Sequence, residues 1–363
     1  MTPFTLTDYD RRFYRDRIAD FLPNRIVDCH THVWTEEHLL PAEGAAPSRS
    51  AAWAASVARV HPLEQLMSSY QILLEGKTVT PVIFPGIETN IDHGSNNEYV
   101  TRSATGHGFP SLALTKPTMT ADEFESTIRD GKHRGCKPYL NFAPEYIPQD
   151  EIRIYDFLPH AHLEVLDRNG WAAMLHIPRP GRLADPLNLA QLQEIDSTYP
   201  NARIIIAHIG RAYTVHDIGD GMDVLSRTRN LVVDLTANTN SAVMRRLIDA
   251  VGPRRILFGS DLPIFTMRAH RIVEDNRYVN VVPRGQYRIA PGDSTMRETD
   301  DIDEITLLIY EELDAFRQAA ELAGLSRADI EDVFHDNAAR LFDLSSTVAA
   351  PQHSADRGMG ESR

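Results

Sequence analysis

The chain is short of cysteine, of long apolar runs and of positive charge, and each shortage narrows what it does. Cys29 and Cys136 are the only cysteines in 363 residues, so a disulfide framework is not expected and a reducing compartment, the cytoplasm, is. No window approaches the ~18 uninterrupted apolar residues of a membrane span. Asp8, Asp10 and several arginines stand where a signal peptide needs an apolar core. Asp and Glu number 51 against 37 Lys and Arg, a formal net charge of −14. Nucleic acid and anionic membranes reward basic patches, so neither is expected as a partner. No Gly-rich dinucleotide fingerprint follows the first apolar run, which argues against a doubly wound open sheet. What remains, 42% hydrophobic and 24% charged, is ordinary for a soluble globular enzyme, and a small-molecule substrate is the partner expected.

Short apolar runs alternate with longer amphipathic ones. Residues 1–24 read as a helical lead-in, with Tyr14, Ile18 and Phe21 on one face and Pro23 as its stop. Strands are expected at 25–29, 79–84, 111–115, 134–140, 171–177, 203–208, 231–236 and 256–260, with helices such as 121–131, 186–198 and 241–251 between them. Near-continuous apolar strands separated by helices indicate a parallel sheet covered on both faces. Eight such units over 25–344 predict an α/β fold of the (β/α)8 TIM-barrel type. Residues 262–300 are polar, Arg-rich and without helical period, and read as a long loop after the last strand. Helices are expected at 301–324 and 327–343, and residues 345–363 read as a disordered tail.

In a parallel barrel the reactive groups sit at the C-terminal ends of the strands. His30 and His32, in Asp28-Cys29-His30-Thr31-His32, end the first strand, and alternate residues of a strand share a face. His176 ends the fifth strand, His208 the sixth and Asp261 the eighth. Their convergence predicts a metal site: His30, His32, His176 and Asp261 as the donor set for one divalent ion, zinc first and manganese second. Such an ion draws the pKa of bound water towards ~7. Asp261 is a ligand, the base that takes the water's proton, or both. His208 polarises a substrate carbonyl or carries protons. Lys137, in the fourth strand, binds a substrate anion, lies as a paired core charge, or bridges two metals. Arg179 and Arg211 follow strands five and six and either clamp a substrate carboxylate or lie solvated.

The ordered set Asp28-Cys29-His30-Thr31-His32, Leu175-His176, Ala207-His208-Ile209-Gly210, Gly259-Ser260-Asp261 and Asn337-Ala338-Ala339-Arg340-Leu341-Phe342 resembles the amidohydrolase superfamily. More narrowly it is similar to the branch containing aminocarboxymuconate-semialdehyde decarboxylase, resorcylate-type decarboxylases and several hydrolases. By that likeness His30, His32, His176 and Asp261 match metal ligands, His208 matches the catalytic histidine, and the site is mononuclear with zinc or manganese.

Three functions follow as expectations. The leading one is metal-dependent hydrolysis of a small carboxylated lactone, ester or amide. The second is non-oxidative decarboxylation at the same site, and the third an inactive barrel that serves as a binding protein. Specificity is expected to reside in 86–105, 116–121 and 262–300. In the last of these Arg268, Arg271, Arg284 and Arg288 bring positive charge to the pocket, offset nearby acidic residues, or reach a neighbouring subunit in a homodimer.

Overall fold

The protein is described from a computed structural model, in which residues 4–41, 49 and 57–344 are described. The expected tail at 345–363 lies outside them. Parallel strands occur where the apolar runs predict them: β1 (Arg25–Val33), β2 (Thr78–Pro85), β3 (Ala113–Thr115), β4 (Gly135–Pro138), β5 (Ala172–Leu175), β6 (Arg203–Ile206), β7 (Val232–Asp234) and β8 (Ile256–Leu257). β1 pairs with β2, and β3 to β8 pair in chain order. Two seams join these sheets into a ring. Ile83 N–H donates to Pro110 O at 3.1 Å and Leu112 N–H to Ile83 O at 3.1 Å, linking β2 to the start of β3. Cys29 N–H donates to Phe258 O at 3.0 Å, Asp261 N–H to His30 O at 2.9 Å and His32 N–H to Leu262 O at 3.0 Å, linking the last strand to the first.

A helix follows every strand, and local chemistry sets its ends. Thr120 and Glu123 form a reciprocal cap on Ala121–Asp130. Asp185 caps Pro186–Thr198, with proline in the first turn, and Asn240 caps Ser241–Val251. The helix expected from 301 begins at Leu308 and runs to Ala323, where Gly324 turns left-handed at φ 69°. No helix among the described residues is long and apolar enough to cross a membrane.

The barrel interior below the mouth is filled by Val27, Cys29, Val82, Phe84, Met174, Ile205 and Leu257, with Phe342 and Ala338 of the terminal helix packed against them. Asn337 fixes that helix by donating from Nδ2 to Pro253 O and Ile256 O, both at 2.8 Å.

The expected loop 262–300 is instead largely a small sheet. β9 (His270–Glu274) and β10 (Arg277–Pro283) form an antiparallel hairpin, and β11 (Met296–Thr299) pairs parallel to β10. The turn between β9 and β10 is Asp275-Asn276, both left-handed at φ 46° and 63°. Asp and Asn tolerate that region through local side-chain hydrogen bonds, and a turn of this hand matches strand twist. Reading the segment for helical period alone misses this signal.

Nor do all four arginines of this segment reach the pocket. Arg268 is bound by Asp10, Nη2 to Oδ2 at 2.6 Å and Nη1 to Oδ1 at 3.0 Å. Arg284 pairs with Asp300 and Glu298, and Arg288 is exposed. Asp10 is fully buried and also accepts from Thr306 Oγ1 at 2.7 Å, so it ties the N-terminal helix to the insertion. Burial raises its pKa, but the hydrogen bonds from Arg268 and Thr306 outweigh burial and hold it below its ordinary 3.8. A depressed carboxylate stabilises the fold above its unfolded pKa and loses that contribution as the pH falls through the folded one. Asp10→Asn is expected to lower unfolding free energy at pH 7 by about 3–5 kcal/mol, because Arg268 is left buried without its partner. In urea titrations repeated from pH 7 downwards, the gap between wild type and variant should close only below about pH 4.

Candidate active site

A single irregularity in β1 aims both histidines. Its register against β2 shifts between Asp28 and Thr31, and an extra residue in one strand re-aims the side chains that follow. Val27 and Cys29 therefore face the barrel's apolar filling, while His30 and His32 line the pocket above it. Gly259 allows the last strand to come this close. A Cβ there would lie 2.7 Å from His30 Cβ and 2.5 Å from Thr236 Oγ1.

The remote nitrogen of each imidazole is held. His30 Nδ1 faces Asp234 Oδ2 at 2.8 Å and His32 Nδ1 faces Pro85 O at 3.0 Å. With Nδ1 engaged, both Nε2 atoms turn towards the pocket, where each donates to a carboxylate when the ring is protonated and offers a lone pair to a cation when it is neutral. There they meet Asp261 Oδ1, at 3.8 Å from His30 Nε2 and 3.5 Å from His32 Nε2. Burial raises the Asp261 carboxyl, but the hydrogen bond and charge of the surrounding histidines win and hold it well below the usual range.

His208 begins a left-handed turn. His208, Ile209, Gly210 and Arg211 all have positive φ, from 51° to 60°. For a residue other than glycine this costs about 1–2 kcal/mol, and such strain persists only where the surroundings impose it. Asp234 imposes it here: Oδ1 accepts the His208 backbone N–H at 2.6 Å while Oδ2 faces His30. His208 Nδ1 lies 3.2 Å from Thr236 O, and burial keeps the ring neutral by lowering its pKa. Its Nε2 is thus free to accept a proton.

The structure brings most of the expected residues together. Donor atoms of His30, His32 and Asp261 all lie within 4.8 Å of one another, as do those of His30, His208 and Asp234. His176 stands outside both groups but lines the same pocket, its ring 5.1 Å from that of His208, and its buried Nδ1 has no hydrogen-bond partner among the described residues. Lys137 is fully buried one residue before the end of β4, with Nζ 3.4 Å from His30 Nε2, and burial lowers its pKa to about 8. Arg211 lines the pocket, where Nη1 donates to the carbonyls of Ile177, Pro178 and Arg179. Arg179 does not line it: its Nε is bound to Asp185 Oδ2 at 3.0 Å, which turns a strand-end arginine into a helix-cap brace.

Asp234, Arg182, Tyr213 and Tyr278 support or line the pocket without an advance signal. Asp234 is a lone acid in an apolar strand, and only tertiary structure gives it two partners. Arg182, Arg271, Tyr213 and Tyr278 pack together in the pocket lining, which Trp34 also joins. The cavity they line has a volume of about 140 Å³.

The donor set fits a divalent cation on its own chemistry. Two imidazole Nε2 atoms and one ionised carboxylate face one point with the remote ring nitrogens fixed, and His176 lines the same pocket outside this group.

A family model described as amidohydrolase matches residues 27–344. A search of curated protein sequences finds no match. Among solved structures, a zinc-bound amidohydrolase from Burkholderia multivorans superposes with a TM-score of 0.55 at 14% identity, over 88% of this chain and 99% of that one. A dihydroxybenzoic acid decarboxylase from Polaromonas sp. JS666, holding manganese and 2-nitroresorcinol, gives 0.52 at 17% identity, over 89% and 98%. A probable 2-pyrone-4,6-dicarboxylic acid hydrolase from Acinetobacter baumannii, with citric acid bound, gives 0.51 at 15% identity, over 88% and 100%. These are likenesses of fold, and one fold hosts several reactions. The family match spans nearly the whole barrel, from the first strand to the helix that plugs its base, and on that match the chain belongs to the amidohydrolase family.

Proposed function

We propose that this protein is a metal-dependent hydrolase of a small carboxylated lactone, ester or amide. In this reading one divalent ion, zinc or manganese, is held by His30, His32, His176 and Asp261. The observation that carries it is the meeting of the His30 and His32 Nε2 atoms at Asp261 Oδ1, beside a neutral His208 in the same pocket. When bound, such an ion supplies Lewis-acid polarisation of a substrate carbonyl and makes water more acidic.

The chain's own residues supply the rest. With Nδ1 committed to Thr236 O, His208 offers Nε2 as the group that accepts a proton from water and returns it to the leaving group. Asp261 stays ionised and is a second acceptor. Arg211, next to His176 and without a carboxylate partner among the described residues, takes the substrate carboxylate and orients the scissile bond. The buried walls exclude bulk water, which strengthens each of these interactions.

The test is metal analysis of the purified protein, followed by turnover of a panel of lactones, esters, amides and aromatic acids with paired product and CO₂ detection. Products with added water and no CO₂ bear the reading out. Metal-dependent release of CO₂ reassigns the site to decarboxylation, and no turnover across the panel counts against an enzyme of this substrate class. His208→Asn, chosen because asparagine tolerates the left-handed backbone, is expected to keep its metal and lose about 10²-fold or more in kcat/KM. Loss of the ion with unchanged activity per bound metal would make His208 a ligand instead. Asp234→Asn should weaken metal affinity about 10–100-fold, read by competition with a chelator. Unchanged affinity would remove Asp234 from the support of the site.

A further inference from the structure

The insertion after β8 holds one guanidinium at the pocket wall from several sides. Arg271 N–H donates to Glu311 Oε2 at 3.1 Å, its Nε to Asn280 Oδ1 at 2.8 Å and its Nη1 to Ala237 O at 2.6 Å. Asn280 is fully buried on β10, and its Nδ2 lies 3.7 Å from Met296 Sδ on β11. All three insertion strands therefore contribute to placing one side chain. Ala237 is held in turn: its N–H donates to Glu312 Oε2 at 2.7 Å, with φ at 59°. The guanidinium carbon lies 4.8 Å from the Tyr278 ring centre, 5.3 Å from Phe265 and 5.5 Å from Tyr213.

What this scaffold leaves over is functional capacity. Nη2 of Arg271 has no hydrogen-bond partner among the described residues, and none of their carboxylates forms an ion pair with it. Arg182 shows the contrast. It lies over the same two tyrosines, at 5.1 and 5.4 Å, but its Nη1 is paired with Asp217 at 2.8 Å. Arg182 braces the rings with its charge already answered, whereas Arg271 presents a charge that is not. Arg271 is half-buried between the pocket and an open polar groove, and an anion on the pocket side gives its Nη2 the charge-assisted contact it lacks among the described residues. Because the fork is already fixed, little conformational entropy is lost when it binds.

We infer that Arg271 is a second anion anchor, and that the substrate is a small dicarboxylate with one carboxylate at Arg211 and the other at Arg271. The assignment rests on the hydrolase reading for Arg211 and adds the far end of the molecule. On this account the insertion determines specificity: it selects dianions over monoanions of the same body.

Calorimetric binding of isophthalate and benzoate to the protein as purified tests this without turnover. The two probes share a ring and differ by one carboxylate. Wild type is expected to bind isophthalate about tenfold or more tightly than benzoate, the scale of one charge-assisted hydrogen-bonded contact. In Arg271→Met that advantage should fall to about twofold or less, while benzoate affinity moves less than about threefold. Arg271→Lys decides if the methionine variant does not fold. An ammonium cannot hold Ala237 O and Asn280 Oδ1 and still reach the ligand, so at least about threefold of the advantage should go. Equal binding of the two probes by wild type, or an undiminished advantage in the folded variants, overturns the inference. A failed turnover panel alongside the expected binding pattern would sink the hydrolase reading and leave the anchor standing.

Discussion

Everything at the mouth depends on the seam where the last strand closes on the first. Asp28 holds that seam from inside the protein. Its Oδ1 accepts the Ser260 N–H at 2.9 Å and the His30 N–H at 3.2 Å, and its Oδ2 accepts the Tyr70 hydroxyl at 2.7 Å. One buried carboxylate thus bonds the backbone of residues directly adjoining Asp261 and Cys29. Burial pushes its pKa up to about 6, and the hydrogen bonds from Ser260 and Tyr70 oppose that rise. Without the seam, His30 and His32 would have no fixed relation to Asp261, and no helix cap or apolar layer elsewhere could restore it.

Asp234 plays the matching part across the barrel. A carboxylate shared between the His30 ring and the His208 backbone couples the orientation of one candidate ligand to the strained turn that presents the proton acceptor. Local strain at His208 and Asp261, both with positive φ, is thereby held by contacts made by buried neighbours. The electrostatic result is a basic, arginine-walled pocket in a chain of net charge −14. Lys137, Arg182, Arg211 and Arg271 outnumber the lining carboxylates Glu88 and Asp261, so a small anion is attracted to the pocket while the net negative charge of the chain repels long polyanions.

The barrel was legible in the sequence because both faces of its strands are covered, leaving short apolar runs such as Ile204-Ile205-Ile206 that no surface strand tolerates. The strand-end histidines were legible for the same reason, as polar residues at the exits of apolar runs. Three features were not. The β-bulge that turns His30 and His32 inward depends on pairing with β2, which spacing within β1 does not reveal. Arg179 and Arg211 occupy equivalent places after neighbouring strands, and only the helix cap at Asp185 draws one of them away. The sheet of the insertion escapes a reading for helical period, although Tyr278-Val279 and Val281-Val282 carry strand propensity, because Asn280 and the flanking charged residues interrupt the apolar run. Side chains that serve a site break the hydrophobic pattern by which secondary structure is read.

The central claim is that His30, His32 and Asp261 surround one cation. Anomalous diffraction at the zinc edge, from crystals grown with that ion, tests it most directly. The account predicts one strong peak at the barrel mouth, contacted by Nε2 of His30, Nε2 of His32 and a carboxylate oxygen of Asp261. A well-ordered protein crystal with zinc bound only elsewhere, or with none at the mouth at saturating zinc, would contradict it.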